Sequence, residues 1–299
     1  MTTRAFLGTG LLGTGMAEGA LSRGDAVHVW NRTPERAEPL RAMGATVHAE
    51  AMATLPEADV VHLVLTHDDA VDAVLDAVEP ALSVLVERRV VMVDHSTTSP
   101  AGTAARVERM QARGVPYLHA PVFMSPNAAR SAQGTMIVAG DPATFERVAP
   151  LLEPMTATLR HVGARADLAA AMKLFGNAMN LAMLHGLADI LTMARELEIP
   201  EERALDVFSV IDVRYVLEGR GRKMAAQDVA PLWTVDVARK DLGLMMRCAG
   251  EAALPSLSAI AATLDARRAA GEGELDVAVI GRRRPARAAA GSGTVDDGC

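Results

Sequence analysis

Cysteine is almost absent from this 299-residue chain, which has only Cys248 and the terminal Cys299. A disulfide framework needs several paired cysteines, and a structural zinc site needs a cluster of Cys or His at short spacing. The sequence has neither pattern. We therefore expect no disulfide framework and no bound metal.

Long apolar runs and an excess of positive charge are missing as well. No apolar stretch is long enough to span a bilayer, and the first residues lack the pattern of a signal peptide. The net charge of −7 does not favour binding to a phosphate backbone. With 50% hydrophobic and 22% charged residues, the composition is that of a globular protein. We expect a cytoplasmic protein without a nucleic-acid or membrane partner.

Three closely spaced glycines stand near the start of the chain, where the apolar run Ala5-Phe6-Leu7 leads into Gly8, Gly10 and Gly13. A helical stretch follows, and then an alternating strand at 27–31. This order is the context that a dinucleotide-binding fingerprint requires. The first glycine makes the tight turn, the second admits a pyrophosphate, and the third lets the helix pack on the strand. A purely structural glycine turn is the alternative.

The second strand ends at Asn31-Arg32-Thr33, without the acidic residue that usually holds the ribose 2′-hydroxyl of NAD. Arg32 is available to pair with a 2′-phosphate instead. The sequence therefore favours NADP(H) over NAD(H). Arg32 is alternatively an ordinary solvated arginine, and the missing acid would still count against NAD(H).

Strand and helix signals alternate through the first half of the chain, and only helix signals follow. Strands are predicted at 60–65, 90–93, 117–120 and 135–139, a loop at 121–134, and helices at 68–78, from Pro100 with Ser99 as N-cap, and at 163–195, 201–210, 235–249 and 256–270. We predict an α/β fold, in which a Rossmann-type, doubly wound, mostly parallel sheet precedes an all-helical C-terminal domain, joined by a long interdomain helix.

The predicted domains follow from this change of pattern. We assign 1–162 to an NADP-binding Rossmann domain and 163–281 to an all-α domain for substrate binding and oligomerisation. Residues 282–299 are rich in Gly, Ala and charge without periodicity, so we expect a disordered tail. A basic recognition arm is the alternative for this tail.

The long helix carries an unusual polar stripe. It is Pro-free and rich in Ala, Leu and Met, and its apolar residues surround most of the axis, which predicts burial on several sides. Lys173, Asn177 and Asn180 fall at i, i+4 and i+7 and so share one face. Burying a lysine is costly unless it serves a purpose, and such a lysine can pass a proton. A solvated edge of the helix is the alternative interpretation.

Four motifs in this order resemble the β-hydroxyacid dehydrogenases, relatives of 3-hydroxyisobutyrate dehydrogenase and 6-phosphogluconate dehydrogenase. The resemblance covers roughly residues 4–281. The motifs are Gly8-x-Gly10-x-x-Gly13 with Asn31-Arg32-Thr33, Asp94-x-Ser96-Thr97-x-x-Pro100, Lys173-x-x-x-Asn177, and Lys240-Asp241-Leu242.

The resemblance implies roles for these residues. Lys173 matches the general acid/base, Asn177 matches the asparagine that orients the substrate, and Ser96 is included in the catalytic set. Lys240 matches a lysine that reaches the cofactor from the helical domain. The expected cofactor-binding residues are Gly8, Gly10, Leu11, Leu12, Gly13, Asn31, Arg32, Thr33, Leu65, Thr66, Thr97 and Lys240. The expected substrate-binding residues are Ser96, Phe123, Met124, Ser125, Lys173 and Asn177.

One segment departs from the family. The family has Ala-Pro-Val-Ser-Gly-Gly, whose small residues and amides hold the substrate carboxylate, whereas this chain has Phe123, Met124 and Ser125 after Val122. Bulk replaces small residues, so we expect a more apolar or differently shaped pocket. Ser125 is a candidate substitute hydroxyl.

These observations together predict an NADPH-preferring oxidoreductase that interconverts a small β-hydroxy acid, or a related alcohol, and its aldehyde or semialdehyde. NAD is the less favoured cofactor. An imine reductase is the alternative within the fold, and a non-catalytic NADP(H)-binding protein is the alternative outside enzymes. We expect a small-molecule substrate and a homodimer or homotetramer.

Overall fold

The computed structural model describes residues 1–282, so the predicted tail beyond residue 282 lies outside the described residues. The strands are β1 (Thr3–Leu7), β2 (Ala26–Trp30), β3 (Thr46–Val47), β4 (Val60–Leu63), β5 (Val91–Asp94), β6 (Tyr117–His119), β7 (Val122–Phe123), β8 (Thr135–Ala139) and β9 (Thr158–Gly163). The helices are α1 (Leu11–Ser22), α2 (Glu38–Arg41), α3 (Asp68–Val78), α4 (Leu82–Arg88), α5 (Pro100–Ala112), α6 (Pro126–Arg130), α7 (Pro142–Leu152), α8 (Leu168–Glu196), α9 (Glu201–Leu205), α10 (Val213–Ala226), α11 (Val235–Cys248) and α12 (Pro255–Ala269).

The strands form one sheet in the order β3-β2-β1-β4-β5-β6-β8-β7, with β9 paired to β8. The first six are parallel neighbours, β8 runs antiparallel to β6 and β7, and β9 runs parallel to β8. The predicted doubly wound, mostly parallel Rossmann-type sheet is thus confirmed. Leu7 pairs with Trp30 on one side and Leu63 on the other, so the carboxyl ends of three central strands meet at one edge. Ligands bind at this edge in such sheets.

Both faces of the sheet are covered, because alternate residues of each strand point to opposite faces. Ala5 and Leu7 belong to one buried apolar cluster, and Phe6 belongs to the other. All residues of β4 and β5 are buried. This double coverage explains why the central strands are nearly continuous apolar runs instead of alternating ones.

Several predicted elements agree with the structure, and others need correction. The helix at 68–78 and the strand at 135–139 have the predicted bounds. The predicted loop at 121–134 is wrong, because it contains the short strand β7 and the helix α6. Ser125 caps α6 and Pro126 begins it, so residues typical of turns here start a helix.

Two further corrections concern the helical half. The predicted helix at 201–210 is α-helical only as α9, and a 3₁₀ turn follows it. Helix α10 was not predicted at all. It contains Gly219 and Gly221, which lower helix propensity and weaken the pattern in the sequence.

The chain divides into two compact units, Met1–Ala178 and Met179–Cys299, and the division falls within α8. The predicted domain boundary between 162 and 163 stays a prediction. In the second unit, α11 and α12 pack around an apolar cluster that includes Val235 and Leu264. The buried carboxylate of Asp276 accepts the backbone N–H groups of Leu232, at 2.9 Å, and Ala278, at 3.0 Å.

Helix α8 does not have the burial predicted for it. In the single chain, the side chains of Phe175, Leu181 and Leu184 are 70%, 62% and 61% exposed. The apolar residues do surround the axis, but nothing in the described chain covers all of them. An exposed apolar surface of this kind is typical of an interaction site, which sequence pattern alone cannot separate from core.

Candidate cofactor site and active site

The glycine turn between β1 and α1 has its shape because two of its positions exclude a side chain. Gly8 has a φ of +109°, and a Cβ there would collide with the Val64 carbonyl. A Cβ at Gly13 would collide with the Gly8 carbonyl, so α1 can approach β1 only with glycine at this position. At Gly10, by contrast, a Cβ would meet nothing within 4 Å. The space beside Gly10 is therefore open to a ligand.

The N-terminus of α1 leaves its amides available. Gly10 is the N-cap residue and provides no side-chain cap, and the first turn contains no acidic residue. The first amides of a helix point outward without intrahelical partners and attract anions. Leu11, Leu12 and Gly13 occupy these first positions. The turn thus fits the pyrophosphate of a dinucleotide, and α1 can bind it through backbone groups.

Asn31 connects the glycine turn to the end of β2. Its Oδ1 accepts the Thr9 backbone N–H at 3.0 Å, and its Nδ2 donates to the Thr33 carbonyl at 2.9 Å. These bonds fix the loop that carries Arg32. The side chain of Asn31 therefore shapes the site, in addition to any contact with a cofactor.

A cavity of about 330 Å³ lies beside this loop. Its lining is formed by Gly8, Gly10, Trp30, Asn31, Arg32, Thr33, Arg36, Val64, Leu65, Thr66, Ala70, Ala73 and Val74. Seven of the predicted cofactor-binding residues therefore line one cavity. Arg36 was not predicted from the sequence. It stands four positions after Arg32 in the same loop, and this spacing could have indicated a second arginine at the cavity. A second cavity, of about 520 Å³, includes Leu11 together with Arg36.

The two arginines are suited to bind a phosphate. Arg32 and Arg36 are exposed, and within residues 1–178 neither has a carboxylate within ion-pair distance. No acidic residue stands at the end of β2, where it would compete for them. The loop therefore presents two guanidinium groups to the cavity without a neutralising partner.

Ser96 lies under the neighbouring turn instead of projecting into open space. It is 1% exposed, and its Oγ accepts the Leu65 backbone N–H at 3.0 Å. Its own N–H donates to Asp94 Oδ1 at 2.9 Å, and the Tyr117 hydroxyl donates to Asp94 Oδ2 at 2.8 Å. The hydroxyl of Ser96 thus holds the segment Leu65-Thr66 that lines the cavity. Thr97, the next residue, is half-buried.

A row of buried polar side chains crosses the sheet below this edge, and sequence reasoning did not find it. His95 Nδ1 lies 2.7 Å from the Ala120 carbonyl, and His95 Nε2 lies 2.9 Å from His62 Nδ1. A carbonyl only accepts, so we assign Nδ1–H to His95 and, in turn, Nδ1–H to His62. Burial lowers the pKa of His95 to about 4, which keeps this histidine neutral at pH 7.

Lys173 lies in the second turn of α8 and is half-buried. Its Nζ lies 4.3 Å from the ring centroid of Phe123. Burial lowers the pKa of Lys173 because it removes water from the ammonium. Asn177, one turn further along the helix, is half-buried too, and within residues 1–178 its side chain makes no hydrogen bond. The two groups are thus both available to a ligand on one helix face, while Asn180 is exposed.

The segment that carries Phe123 packs closely on α8. A Cβ at Gly176 would lie only 2.5 Å from Phe123 Cζ, so the ring occupies the space that a side chain at 176 would need. Met124 is half-buried, and Ser125 is exposed. The Ser125 hydroxyl accepts the Ala128 N–H at 3.1 Å as the cap of α6. Its oxygen therefore already has a structural role.

Residues 3–163, more than half of the chain, match the family model described as the NAD binding domain of 6-phosphogluconate dehydrogenase. The chain belongs to the β-hydroxyacid dehydrogenase family. A probable 3-hydroxyisobutyrate dehydrogenase from Mycobacterium tuberculosis (strain H37Rv) is 29% identical over 301 residues, covering 96% of this chain and 99% of the relative. The 3-sulfolactaldehyde reductase of Escherichia coli K12 is 27% identical over 291 residues, covering 94% and 95%.

Solved structures agree on the fold. An imine reductase from Pseudomonas sp. superposes with a TM-score of 0.85 at 20% identity, covering 93% of this chain and 98% of that one. A reductive aminase from Aspergillus terreus, solved with NADPH4, cyclohexanone and allyl amine, has a TM-score of 0.83 at 19% identity, with coverage of 93% and 98%. At these identities the likeness concerns the fold alone.

This β-hydroxyacid dehydrogenase relative is accordingly an NAD(P)-dependent oxidoreductase of hydroxy acids and their aldehydes, acting on CH–OH donors. Within residues 1–282, no cluster of His, Cys, Asp or Glu could hold a metal ion, and no helix could cross a membrane. Lys240 belongs to the second unit, where its ammonium pairs with Asp241 at 3.0 Å and its side chain is 66% exposed.

Proposed function

We propose that this protein is an NADPH-preferring reductase and dehydrogenase, which interconverts a small β-hydroxy acid or related alcohol and its aldehyde, with Lys173 as general acid/base. The observation that carries the proposal is the pair Lys173 and Asn177, half-buried on one face of α8 and free of hydrogen-bonding partners within residues 1–178. A lowered pKa brings the lysine closer to neutral pH, where a proton-transfer group is most effective.

The preference for NADPH follows from charge. Arg32 and Arg36 line the cavity beside the glycine turn, and no carboxylate competes there for a ribose hydroxyl. A 2′-phosphate would gain charge-assisted hydrogen bonds from these guanidinium groups. NADH would lack the phosphate and leave both groups unused. Lys240 stays a predicted cofactor contact.

The chemistry divides between the cofactor and the chain. A bound nicotinamide would supply or accept the hydride. Lys173 Nζ gives a proton to the substrate oxygen in reduction and takes it back in oxidation. The Asn177 amide orients the same oxygen without adding charge. Ser96 holds Leu65 and Thr66, which line the cavity, and contributes to their position.

Phe123 and Met124 support a second candidate, the reduction of an imine. They present an aromatic and an aliphatic side chain where the family has small residues, and apolar walls suit an uncharged substrate. Solved imine reductases share the fold. The intact Lys173 and Asn177 pair favours the carbonyl reaction instead.

Initial rates of NADPH and NADH oxidation test the proposal against glyoxylate, succinic semialdehyde, tartronate semialdehyde, methylmalonate semialdehyde and a cyclic imine. We expect one aldehyde to react, with NADPH preferred, and Lys173→Ala to lower the rate about 100- to 10,000-fold, as loss of a general acid does. Lys223→Ala is the matched control, since Lys223 pairs with Asp228 in the second unit. An undiminished rate in Lys173→Ala would refute the role of the lysine, and turnover of the imine alone would favour the second candidate.

The exposed apolar residues of α8 also lead us to propose a homodimer or a homotetramer. Leu181 and Leu184 are more than half exposed in the single chain, and burying them against a second copy would remove apolar surface from water. Light scattering at micromolar concentration should therefore give at least twice the monomer mass. A monomer mass would exclude this assembly.

A further inference from the structure

The chain has only three lysines, Lys173, Lys223 and Lys240, among 30 basic residues. Two of them pair with carboxylates, Lys223 with Asp228 at 2.9 Å and Lys240 with Asp241 at 3.0 Å. Within residues 1–178, Lys173 has no carboxylate at ion-pair distance, and its ammonium lies over the ring of Phe123. Its charge therefore meets an aromatic face where the other two lysines meet an acid.

The ring of Phe123 is held firmly in this position. It packs against an apolar cluster formed by Ile137, Ala139 and Ala169, which come from β8 and α8. On α8 itself, the absence of a side chain at Gly176 makes room for the ring. Moving the ring away from Lys173 would break these apolar contacts.

An aromatic face and a carboxylate stabilise an ammonium in different ways. The face of the ring is the negative end of its quadrupole and attracts a cation at this distance. It cannot take the proton, and unlike a carboxylate it does not form strong hydrogen bonds with the N–H groups. Burial of Lys173 acts in the opposite sense, because it favours the neutral amine. The ring thus preserves the charge while leaving the donors free for a substrate oxygen.

We propose that Phe123 is a positioning residue, which holds Lys173 as an ammonium with free N–H donors and so sets the site for carbonyl reduction near neutral pH. The proposal rests on the proposed role of Lys173. In reduction the carbonyl carbon gains a hydride from the reduced nicotinamide, the C=O π bond opens onto oxygen, and that oxygen takes the Nζ proton. The lysine is left as a neutral amine and regains a proton from water. Oxidation needs the amine form and is shifted to alkaline pH.

Few other charges influence Lys173 within residues 1–178. Strands β7 and β8 contain no titratable residue. Strand β9 contributes Arg160 and His161, and the His161 ring packs on Phe145. At the start of α8, Asp167 forms an ion pair with Arg165 at 2.7 Å. Burial lowers the pKa of Lys173 and no charged neighbour contributes to that shift, so the effect of changing the ring should be visible against a simple background.

A direct test is NMR titration of the lysine side chains in the full chain labelled with ¹³C at lysine Cε, without cofactor or substrate. Three lysines give three resolvable signals, assigned by Lys-to-Arg variants. Phe123→Leu keeps apolar bulk but removes the quadrupole. We expect the pKa of Lys173 to fall by about 0.5 to 1.5 units, the size of a cation–π interaction. Far-UV circular dichroism and urea unfolding check that the variant is folded.

Three further variants complete the test. Gly176→Ala displaces the ring from the other side and should lower the same pKa, while Phe145→Leu removes a ring outside the site and should not. In Phe123→Leu, the rate of reduction should begin to fall at a lower pH than in wild type, because Lys173 loses its proton earlier. Phe123→Tyr should bring this pH back towards the wild-type value. An unchanged or raised pKa of Lys173 in folded Phe123→Leu or Gly176→Ala overturns the proposal. Because the titration needs no turnover, a shifted pKa together with an undiminished rate in Lys173→Ala would refute the proposed function and leave the ring contact standing.

Discussion

The two sides of the site are built by different means. On the cofactor side, the backbone forms most of the site. Gly8 and Gly13 have no room for a side chain, and the first amides of α1 have no hydrogen-bond partner in the helix. On the side that we propose for the substrate, individual side chains form the site, since Phe123 and Lys173 meet although they are 50 positions apart in the sequence. A backbone site depends on where glycine occurs, which a sequence displays directly. A site built from side chains depends on tertiary packing, which a sequence does not display directly.

We expect the largest effect from alanine substitution at the glycines of the turn. Gly13 and Gly10 should respond differently, because only Gly13 is in contact with the protein backbone where a side chain would be. Gly13→Ala forces α1 away from β1 and should cost about 1–3 kcal/mol or more in free energy of unfolding through overpacking. NADPH binding should be lost with it. Urea unfolding and calorimetric titration of NADPH measure the two quantities.

Gly10→Ala is the matched control for that prediction. Its Cβ meets no protein atom within 4 Å, so the free energy of unfolding should change little while NADPH binding weakens. If both variants were equally destabilised, the space beside Gly10 would not be reserved for a ligand.

Acid should loosen the substrate side, because His95 donates to the Ala120 carbonyl at the start of the segment that carries Phe123. The pKa of His95 is about 4 in the folded chain and about 6.5 when unfolded, so between these values only the unfolded chain binds the proton. The free energy of unfolding should therefore fall as the pH drops from 6.5 towards 4, by up to about 3 kcal/mol. Urea unfolding at pH 7, 5.5 and 4.5 measures it.

The variant His95→Gln separates this histidine from other acid effects. It should be less stable at pH 7 but lose less stability between pH 6.5 and 4.5 than wild type does. An equal loss in both proteins would mean that other groups carry the acid sensitivity.

A smaller effect is expected at the arginines. Arg32→Ala should weaken NADPH binding about 10- to 100-fold, the value of one or two charge-assisted hydrogen bonds, and leave NADH binding nearly unchanged. Arg36→Ala should act in the same direction, since Arg36 lines the same cavity. Equal losses for NADPH and NADH would show that the arginines do not distinguish the 2′-phosphate.

Much of the cofactor side was accessible from the sequence alone. The glycine spacing and the alternation of strands and helices predicted the Rossmann-type sheet correctly, and seven of the residues predicted to bind the cofactor line one cavity. The cap at Ser99 was also predicted, and its hydroxyl accepts the Gly102 N–H at 3.1 Å. These features are local, because each depends on residues a few positions apart.

The remaining features needed the folded chain. Ser96 gave no sign that its hydroxyl would hold Leu65, and His62 and His95 are 33 positions apart. The segment 121–134, which was predicted as a loop, contains the strand β7 and the helix α6. The helix forms because Ser125 caps it and Pro126 begins it. The exposed apolar faces of α8 could not be distinguished from core by periodicity.

The segment 120–126 has one consequence for how this enzyme could change over evolutionary time. Hydrogen bonds hold both ends of this segment without using the side chains of residues 122–124. His95 donates to the Ala120 carbonyl, and the Ala128 amide donates to the Ser125 hydroxyl. Residues 122–124 can therefore be exchanged while the attachment points remain, within the limits that position 122 packs in the core and that position 123 keeps an aromatic ring beside Lys173. A lineage, or a directed library confined to these three codons, could move to a new substrate without rebuilding the machinery that holds the nucleotide.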